Sequence, residues 1–141
     1  MKDNSARRRE IACAIIIDTR GRFLLQQRDD IVGIVHPGKV GLFGGHREGD
    51  ETFLECVVRE VREELSYLVP AERFEYLAGI SGESAEVRGD FFVVRDVPVE
   101  ALVITEGSLL IVRPDDVIAL DRRLTPTARF ALKAFGTTGL N

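Results

Sequence analysis

The sequence predicts an α/β fold, built as an α/β/α or α+β sandwich around a mixed sheet. Strand-like runs lie on both sides of one long amphipathic helix, and a second helix follows near the end of the chain. The chain has 141 residues, of which 45% are hydrophobic, enough to bury a substantial core. We therefore expect one domain over residues 1–141, with a flexible tail at 1–9 and frayed residues at 137–141.

The first part of the chain carries strand and turn signals. Residues 11–18 are rich in β-branched side chains and residues 23–27 form a second apolar run, which predicts a β-hairpin. Residues 29–39 lack a clean period and are predicted as a loop. A short strand at 40–43 should then run into Gly44-Gly45, a pair that permits a tight turn and a close approach of the backbone to a ligand.

One long helix dominates the middle of the chain. Thr52, with Glu55 three residues later, fits a capping box, and helical periodicity continues to about Ser66. Thr125-Pro126 predicts the start of a second helix that ends near Phe135. Between the two helices, strand-like runs are expected at 74–80, 91–95, 102–105 and 109–112.

Three acidic residues share one side of the long helix. At about 100° per residue, Glu60, Glu63 and Glu64 fall within an arc of roughly 100° beside the apolar face. Like charges three and four residues apart repel each other on an isolated helix. The arrangement therefore predicts a bound cation, and carboxylate oxygens suit a hard divalent metal.

Composition and charge argue against several classes of protein. The formal net charge is −4 with both signs mixed along the chain, so a broad basic surface for duplex nucleic acid is not expected. The apolar runs are shorter than the roughly 18 residues of a membrane span, so a membrane partner is not expected either. Cys13 and Cys56 follow neither a metal-ligand nor a redox spacing, which indicates two buried reduced thiols in a cytoplasmic protein.

The stretch from Gly45 to Tyr67 resembles the Nudix box of the MutT-like hydrolases. That box reads G-x5-E-x7-R-E-U-x-E-E-x-G-U, where U is a bulky apolar residue. Ser66 replaces the last glycine, so we expect the helix to end without the left-handed backbone that glycine adopts. The matching residues are Gly45, Glu51, Arg59, Glu60, Val61, Glu63, Glu64 and Tyr67.

The resemblance implies a Nudix-type α/β/α sandwich with a catalytic loop-helix-loop, and a role for each matched residue. Glu60, Arg59 and Glu63 are the predicted catalytic residues, with Glu60 the first choice for the base that takes a proton from water. Arg59 would hold Glu51 and Glu60 by charge-assisted hydrogen bonds, while Gly45 and Glu51 would maintain the loop. The predicted ligands for Mg²⁺, with Mn²⁺ as the alternative, are the Gly44 carbonyl and the carboxylates of Glu60, Glu63, Glu64 and Glu106.

Residues outside the box complete the predicted site. Several Nudix proteins add an acid from a later loop, and Glu106 is the candidate here, with Asp90 and Glu83 as alternatives. His46 and Arg28 are candidates for substrate binding.

The predicted activity is that of a metal-dependent pyrophosphohydrolase, because the resemblance implies cleavage of a nucleoside diphosphate linked to another group. A nucleoside triphosphate or a nucleotide sugar is the expected small-molecule substrate. The alternatives are hydrolysis of a non-nucleotide pyrophosphate, and a Nudix-like module that senses a nucleotide without cleaving it. The protein is expected to be a monomer or a homodimer.

Overall fold

A computed structural model describes residues 9–34, 36–82, 85–137 and 139–140. The strands are β1 (Arg9–Asp18), β2 (Phe23–Gln27), β3 (Val40–Gly41), β4 (Phe43–His46), β5 (Glu75–Ile80), β6 (Val87–Val97) and β7 (Ser108–Val112). The α-helices are α1 (Phe53–Leu65) and α2 (Pro126–Ala134), and short 3-10 helices lie at Ala71–Arg73, Val99–Ala101 and Pro114–Arg123.

The described strands form one mixed sheet with β1 at its centre. β1 runs parallel to β6 and antiparallel to both β2 and β4. β5 pairs with β6 at one side, while β3 and β7 both pair with β2 at the other. The predicted β1–β2 hairpin and the mixed sheet are therefore confirmed.

Two hydrophobic cores lie on opposite faces of the sheet, because successive side chains of a strand point in opposite directions. Ile11 and Ile15 of β1 pack in the core that includes Ala128, Ala131 and Leu132 of α2. Ala12 and Ala14 lie in the core that includes Cys56, Val57, Val61 and Leu65 of α1. A helix thus covers each face, which confirms the α/β/α sandwich.

The tight turn expected at Gly44-Gly45 is wrong. Both glycines belong to β4, where Gly44 lies opposite Cys13 and Gly45 opposite Ala12 of β1. The strand continues to His46, and the loop that leads into α1 begins only after it.

The strand expected at 102–105 is also wrong. The N–H groups of Val103 and Thr105 donate to the carbonyls of Leu65 and Glu64, 3.0 Å away in each case. These hydrogen bonds satisfy carbonyl groups at the end of α1 and do not pair the segment with a neighbouring strand. The apolar run at 102–105 is therefore irregular. Ser66 contradicts a third expectation, since its backbone is left-handed, with φ 52° and ψ 39°.

The predicted tails at 1–9 and 137–141 lie partly outside the described residues. Residues 1–8 lie outside the described part, and Arg9 already belongs to β1. Thr138 and Asn141 also lie outside it, while the N–H of Thr137 donates to the Leu132 carbonyl at 3.0 Å. Among the described residues, neither α1 nor α2 combines the length and the apolar character that crossing a membrane requires.

Candidate active site

The start of α1 is determined by the predicted capping box. The N–H of Glu55 donates to Thr52 Oγ1 at 3.0 Å, and the N–H of Thr52 donates to Glu55 Oε1 at 2.8 Å. Two of the N–H groups that a helix leaves unpaired at its start are satisfied in this way. This prediction is confirmed.

Arg59 is the centre of a hydrogen-bond network between α1 and the loop before it. Its guanidinium donates a bidentate pair of hydrogen bonds to the Glu51 carboxylate, from Nη2 at 2.7 Å and from Nε at 3.1 Å. Nη1 donates to Glu60 Oε1 at 2.9 Å, and Nη2 donates to the His46 carbonyl at 3.1 Å. The hydrogen bonds from Arg59 lower the pKa of Glu51 to about 2. Arg59 therefore makes the contacts to Glu51 and Glu60 that the resemblance implies.

Gly45 allows the Glu60 carboxyl group to lie against strand β4. A Cβ atom at position 45 would lie 2.5 Å from Glu60 Cδ, closer than nonbonded atoms approach. Between this backbone on one side and Arg59 on the other, the Glu60 carboxylate has little freedom. Glu63 is less confined: its side chain is about half exposed (54%) and its Oε2 lies 3.4 Å from Arg59 Nη1.

Glu64 is the most buried acid of the site, with 5% of its surface exposed. Its Oε1 accepts a hydrogen bond of 2.8 Å from the N–H of Gly44. Burial raises the pKa of Glu64 to about 8, and the negative charges of Glu60 and Glu106 act in the same direction. The local charge therefore favours a cation beside these carboxyl groups.

Glu106 reaches the same place from a distant part of the chain. The hydroxyl of Thr105 donates to the Glu63 carbonyl at 3.0 Å, which adds to the backbone bond from Thr105 to Glu64. On its other side, Gln26 Nε2 donates to the Glu106 carbonyl at 3.0 Å. Of the alternatives to Glu106, Asp90 lies in β6 away from the cavity lining, and Glu83 lies outside the described residues.

A cavity of about 430 Å³ brings most of the predicted site residues together. Seven of them line it, namely Arg28, Gly44, Gly45, His46, Glu60, Glu64 and Glu106. Glu51, Arg59 and Glu63 do not line it, and Glu51 and Arg59 instead support Glu60 from behind.

Several lining residues were not expected from the sequence. Arg9, Thr125 and Thr127 reach the cavity from the start of β1 and the start of α2. Thr125 was predicted only as a helix cap, a role it does fill, because its Oγ1 accepts from the N–H of Ala128 at 3.2 Å. Sequence spacing carries no signal for these positions, since they are joined only by the packing of α2 on the sheet.

The acidic side chains that line the cavity fit a hard divalent cation. Glu60, Glu64 and Glu106 offer only oxygen ligands. Burial raises the pKa of Glu60 and of Glu64, and the negative charge of Glu106 adds to this, so a cation would stabilise their ionised forms. As oriented here, the described His, Cys, Asp and Glu side chains do not form a ready-made group of three or more ligands. In this arrangement Arg59 donates hydrogen bonds to the carboxyl groups of both Glu60 and Glu63.

Solved structures with the same fold are numerous. The E. coli ORF135 protein is 27% identical, with a TM-score of 0.71, over 96% of this chain and 93% of that chain. A MutT Nudix hydrolase from Burkholderia pseudomallei is 24% identical, with a TM-score of 0.70, over 89% of this chain and 96% of that chain. The Deinococcus radiodurans protein DR0079 has a TM-score of 0.75 at 18% identity, over 92% of this chain and 84% of that chain.

Sequence comparison identifies the family. No curated protein matches the chain significantly. The family model of the NUDIX domain, however, matches residues 7–128, which is most of the chain. The matched region contains β1, α1 and the loop of Glu106, so it includes every acid at the cavity. The chain belongs to the Nudix family of hydrolases.

Proposed function

We propose that the protein is a Mg²⁺-dependent pyrophosphohydrolase, with Mn²⁺ able to replace Mg²⁺. The observation that carries this proposal is the convergence of Glu60, Glu64 and Glu106 on one cavity from a helix and a separate loop. Acids brought together at this density are electrostatically unfavourable unless a cation compensates them. Because the chain belongs to a family of hydrolases, we infer that this cation takes part in catalysis.

The proposed metal ligands are the carboxylates of Glu60, Glu63, Glu64 and Glu106, together with the carbonyl of Gly44. When bound, the cation supplies charge neutralisation to the phosphoanhydride and makes water a better nucleophile. The Glu63 side chain is about half exposed, which suits a ligand that turns toward the cation when it binds.

The chain's own residues would prepare the reaction around that site. Glu60 is proposed as the group that takes the proton of the attacking water, since Arg59 and the backbone at Gly45 hold its carboxyl group in one place. His46 and Arg28, which line the same cavity, are proposed to bind the substrate.

The proposed substrate is a nucleoside triphosphate or a nucleotide sugar. A cavity of about 430 Å³ suits one small molecule, and small-molecule sites commonly span roughly 300–1,000 Å³. Its lining combines acidic residues with Arg9, Arg28, Thr125 and Thr127. Cys13 and Cys56 are free and buried, which supports the proposed cytoplasmic location.

A substrate panel tests this function. Nucleoside triphosphates, nucleotide sugars and non-nucleotide pyrophosphates are each incubated with the protein and Mg²⁺, and the products are identified by phosphorus NMR. We expect phosphate, pyrophosphate or nucleotide release that Glu60→Gln lowers by about 100-fold or more. Glu72→Gln, an exposed acid on the 3-10 helix Ala71–Arg73, is the matched control and should retain activity.

Two other outcomes would replace the proposal. Release from non-nucleotide pyrophosphates alone would assign the activity to that class of substrate. Binding of a nucleotide without release of any product across the panel would identify a sensor module instead of an enzyme.

A further inference from the structure

Gln26 is a buried polar residue at the end of a strand, and none of the roles described so far requires it. Only 2% of its surface is exposed, while the preceding residues of β2 are apolar. A buried amide lowers stability unless its polar atoms are hydrogen-bonded. Its hydrogen-bond partners therefore indicate why an amide occupies this position.

Both partners are residues that line the site cavity. Nε2 of Gln26 donates to the Glu106 carbonyl at 3.0 Å. Oε1 of Gln26 accepts from Arg28 Nη1 at 3.5 Å, which is a longer contact. Gln26, Arg28 and Glu106 also share the lining of a second cavity of about 60 Å³. The Gln26 side chain thus contacts both Glu106, a proposed metal ligand, and Arg28, a residue proposed to bind the substrate.

The loop of Glu106 packs closely on this end of β2. A Cβ atom at Gly107 would lie 2.5 Å from the Gln27 carbonyl oxygen, so the loop can lie here only with glycine at 107. Gln26 then stands opposite Leu109 in the β2–β7 pair, directly below the loop. Thr105 attaches the same loop to α1 by hydrogen bonds. Gln26 attaches it to the sheet by its hydrogen bond to the Glu106 carbonyl.

We propose that Gln26 is a positioning residue for the metal site, which holds Glu106 at the distance from Glu60 and Glu64 that metal binding requires. This inference rests on the proposed function, because it concerns the cation of that site. Residues that orient metal ligands commonly alter metal affinity by about 10- to 100-fold when they are replaced. The contact with Arg28 joins substrate binding to the same side chain.

A purely structural role makes a different prediction. Methionine has nearly the length of glutamine and fills irregular core space well, so Gln26→Met preserves packing. The Glu106 carbonyl belongs to an exposed residue and can accept from water once the amide is gone. If Gln26 serves only packing, Gln26→Met leaves metal binding unchanged.

The test measures Mn²⁺ binding to the full chain without substrate, by electron paramagnetic resonance of the free ion. We expect the Mn²⁺ dissociation constant to rise by about 10-fold in Gln26→Met. Gln27→Met is the matched control, because the Gln27 amide donates to the Gly38 and Arg28 carbonyls and not to Glu106. That control should bind Mn²⁺ like the wild type. Saturating Mg²⁺ should restore kcat in Gln26→Met.

A second variant and a double variant separate positioning from general damage. Gln26→Leu has a similar volume and no donor for the Glu106 carbonyl, and it should weaken Mn²⁺ binding as well. In a Glu106→Gln background, Gln26→Met should cause no further loss, because both changes act through one ligand. Wild-type affinity in the single Gln26 variants, or a full additional loss in the double variant, overturns the inference. A wild-type protein that does not bind Mn²⁺ instead overturns the proposed function.

Discussion

Replacing Gly45 with alanine should displace the Glu60 carboxyl group without unfolding the protein, so it tests whether turnover depends on the position of that group. The new Cβ would lie 2.5 Å from Glu60 Cδ and 2.7 Å from both carboxyl oxygens. Nonbonded carbon atoms rest about 3.5 Å apart or more, so the carboxyl group must withdraw by about 1 Å. A displacement of that size at a catalytic group lowers turnover by about 100-fold.

The stability of the variant should change little. The obstructed group is the end of a flexible side chain, and its withdrawal requires no movement of the strand. We expect the free energy of unfolding to fall by about 1 kcal/mol or less, within the usual range for single substitutions. Turnover at saturating Mg²⁺ and urea unfolding of the same samples measure the two effects.

Gly44→Ala is the matched control, one residue away on the same strand. Its Cβ would lie 2.3 Å from the Ala12 carbonyl oxygen and 2.5 Å from Cys13 Cα, and both atoms belong to the backbone of β1. The backbone of Gly44 also has φ 146°, a conformation that residues other than glycine rarely adopt. We expect Gly44→Ala to lower the free energy of unfolding by about 3 kcal/mol.

The double variant Gly45→Ala/Glu60→Gln completes the test. Because Gly45 acts through Glu60, the double variant should be no slower than Glu60→Gln alone. Wild-type turnover in Gly45→Ala would refute this reasoning. So would a loss of stability as large as that of Gly44→Ala, or losses of turnover that multiply in the double variant.

Three further predictions concern the end of α1, the turn between β1 and β2, and metal binding. Ser66→Gly should raise the free energy of unfolding in urea by about 1 kcal/mol, because glycine adopts the left-handed backbone without strain; a decrease would contradict this. Burial opposes ionisation of Asp18, but hydrogen bonds from Arg22 and Arg20 outweigh it and lower its pKa. Asp18→Asn should therefore lower stability by about 2 kcal/mol at pH 7, and this difference should disappear as the pH falls below about 4 and through the lowered pKa; a pH-independent difference would argue against it. Mg²⁺ at about 100 times its dissociation constant should stabilise the protein by about 2.7 kcal/mol in thermal unfolding, and less in Glu64→Gln; an unchanged melting temperature in the wild type would remove the metal site.

The sequence predicted those features of the site that local spacing determines. Thr52 and Glu55 are three residues apart, so the capping box needs only the helix itself. The acids of α1 share a side because of the helical repeat, which also places Arg59 one turn before Glu63. The alternation of core residues along β1 likewise follows from the geometry of a strand.

Long-range packing determines the features that the sequence did not predict. Gly44-Gly45 looks like a turn in isolation, but pairing with β1 extends both residues as strand. Arg9 and Thr127 lie in the cavity because separate elements meet there, and no spacing in the chain relates them. Gln26 follows an apolar run, and its contacts with the Glu106 carbonyl and with Arg28 distinguish it from a core residue.

The end of α1 explains why the expected strand at 102–105 does not form. A helix leaves its last carbonyls without partners inside the helix. Here the carbonyls of Glu63, Glu64 and Leu65 accept from the segment 103–105, which is why that segment is not a strand. The same bonds bring Glu106, the next residue, beside the acids of α1. The helix end, where Ser66 departs from the Nudix box, is thus also where a distant acid joins the site. A change at 103–105 should therefore act on metal binding through Glu106, although none of these three residues lines the cavity.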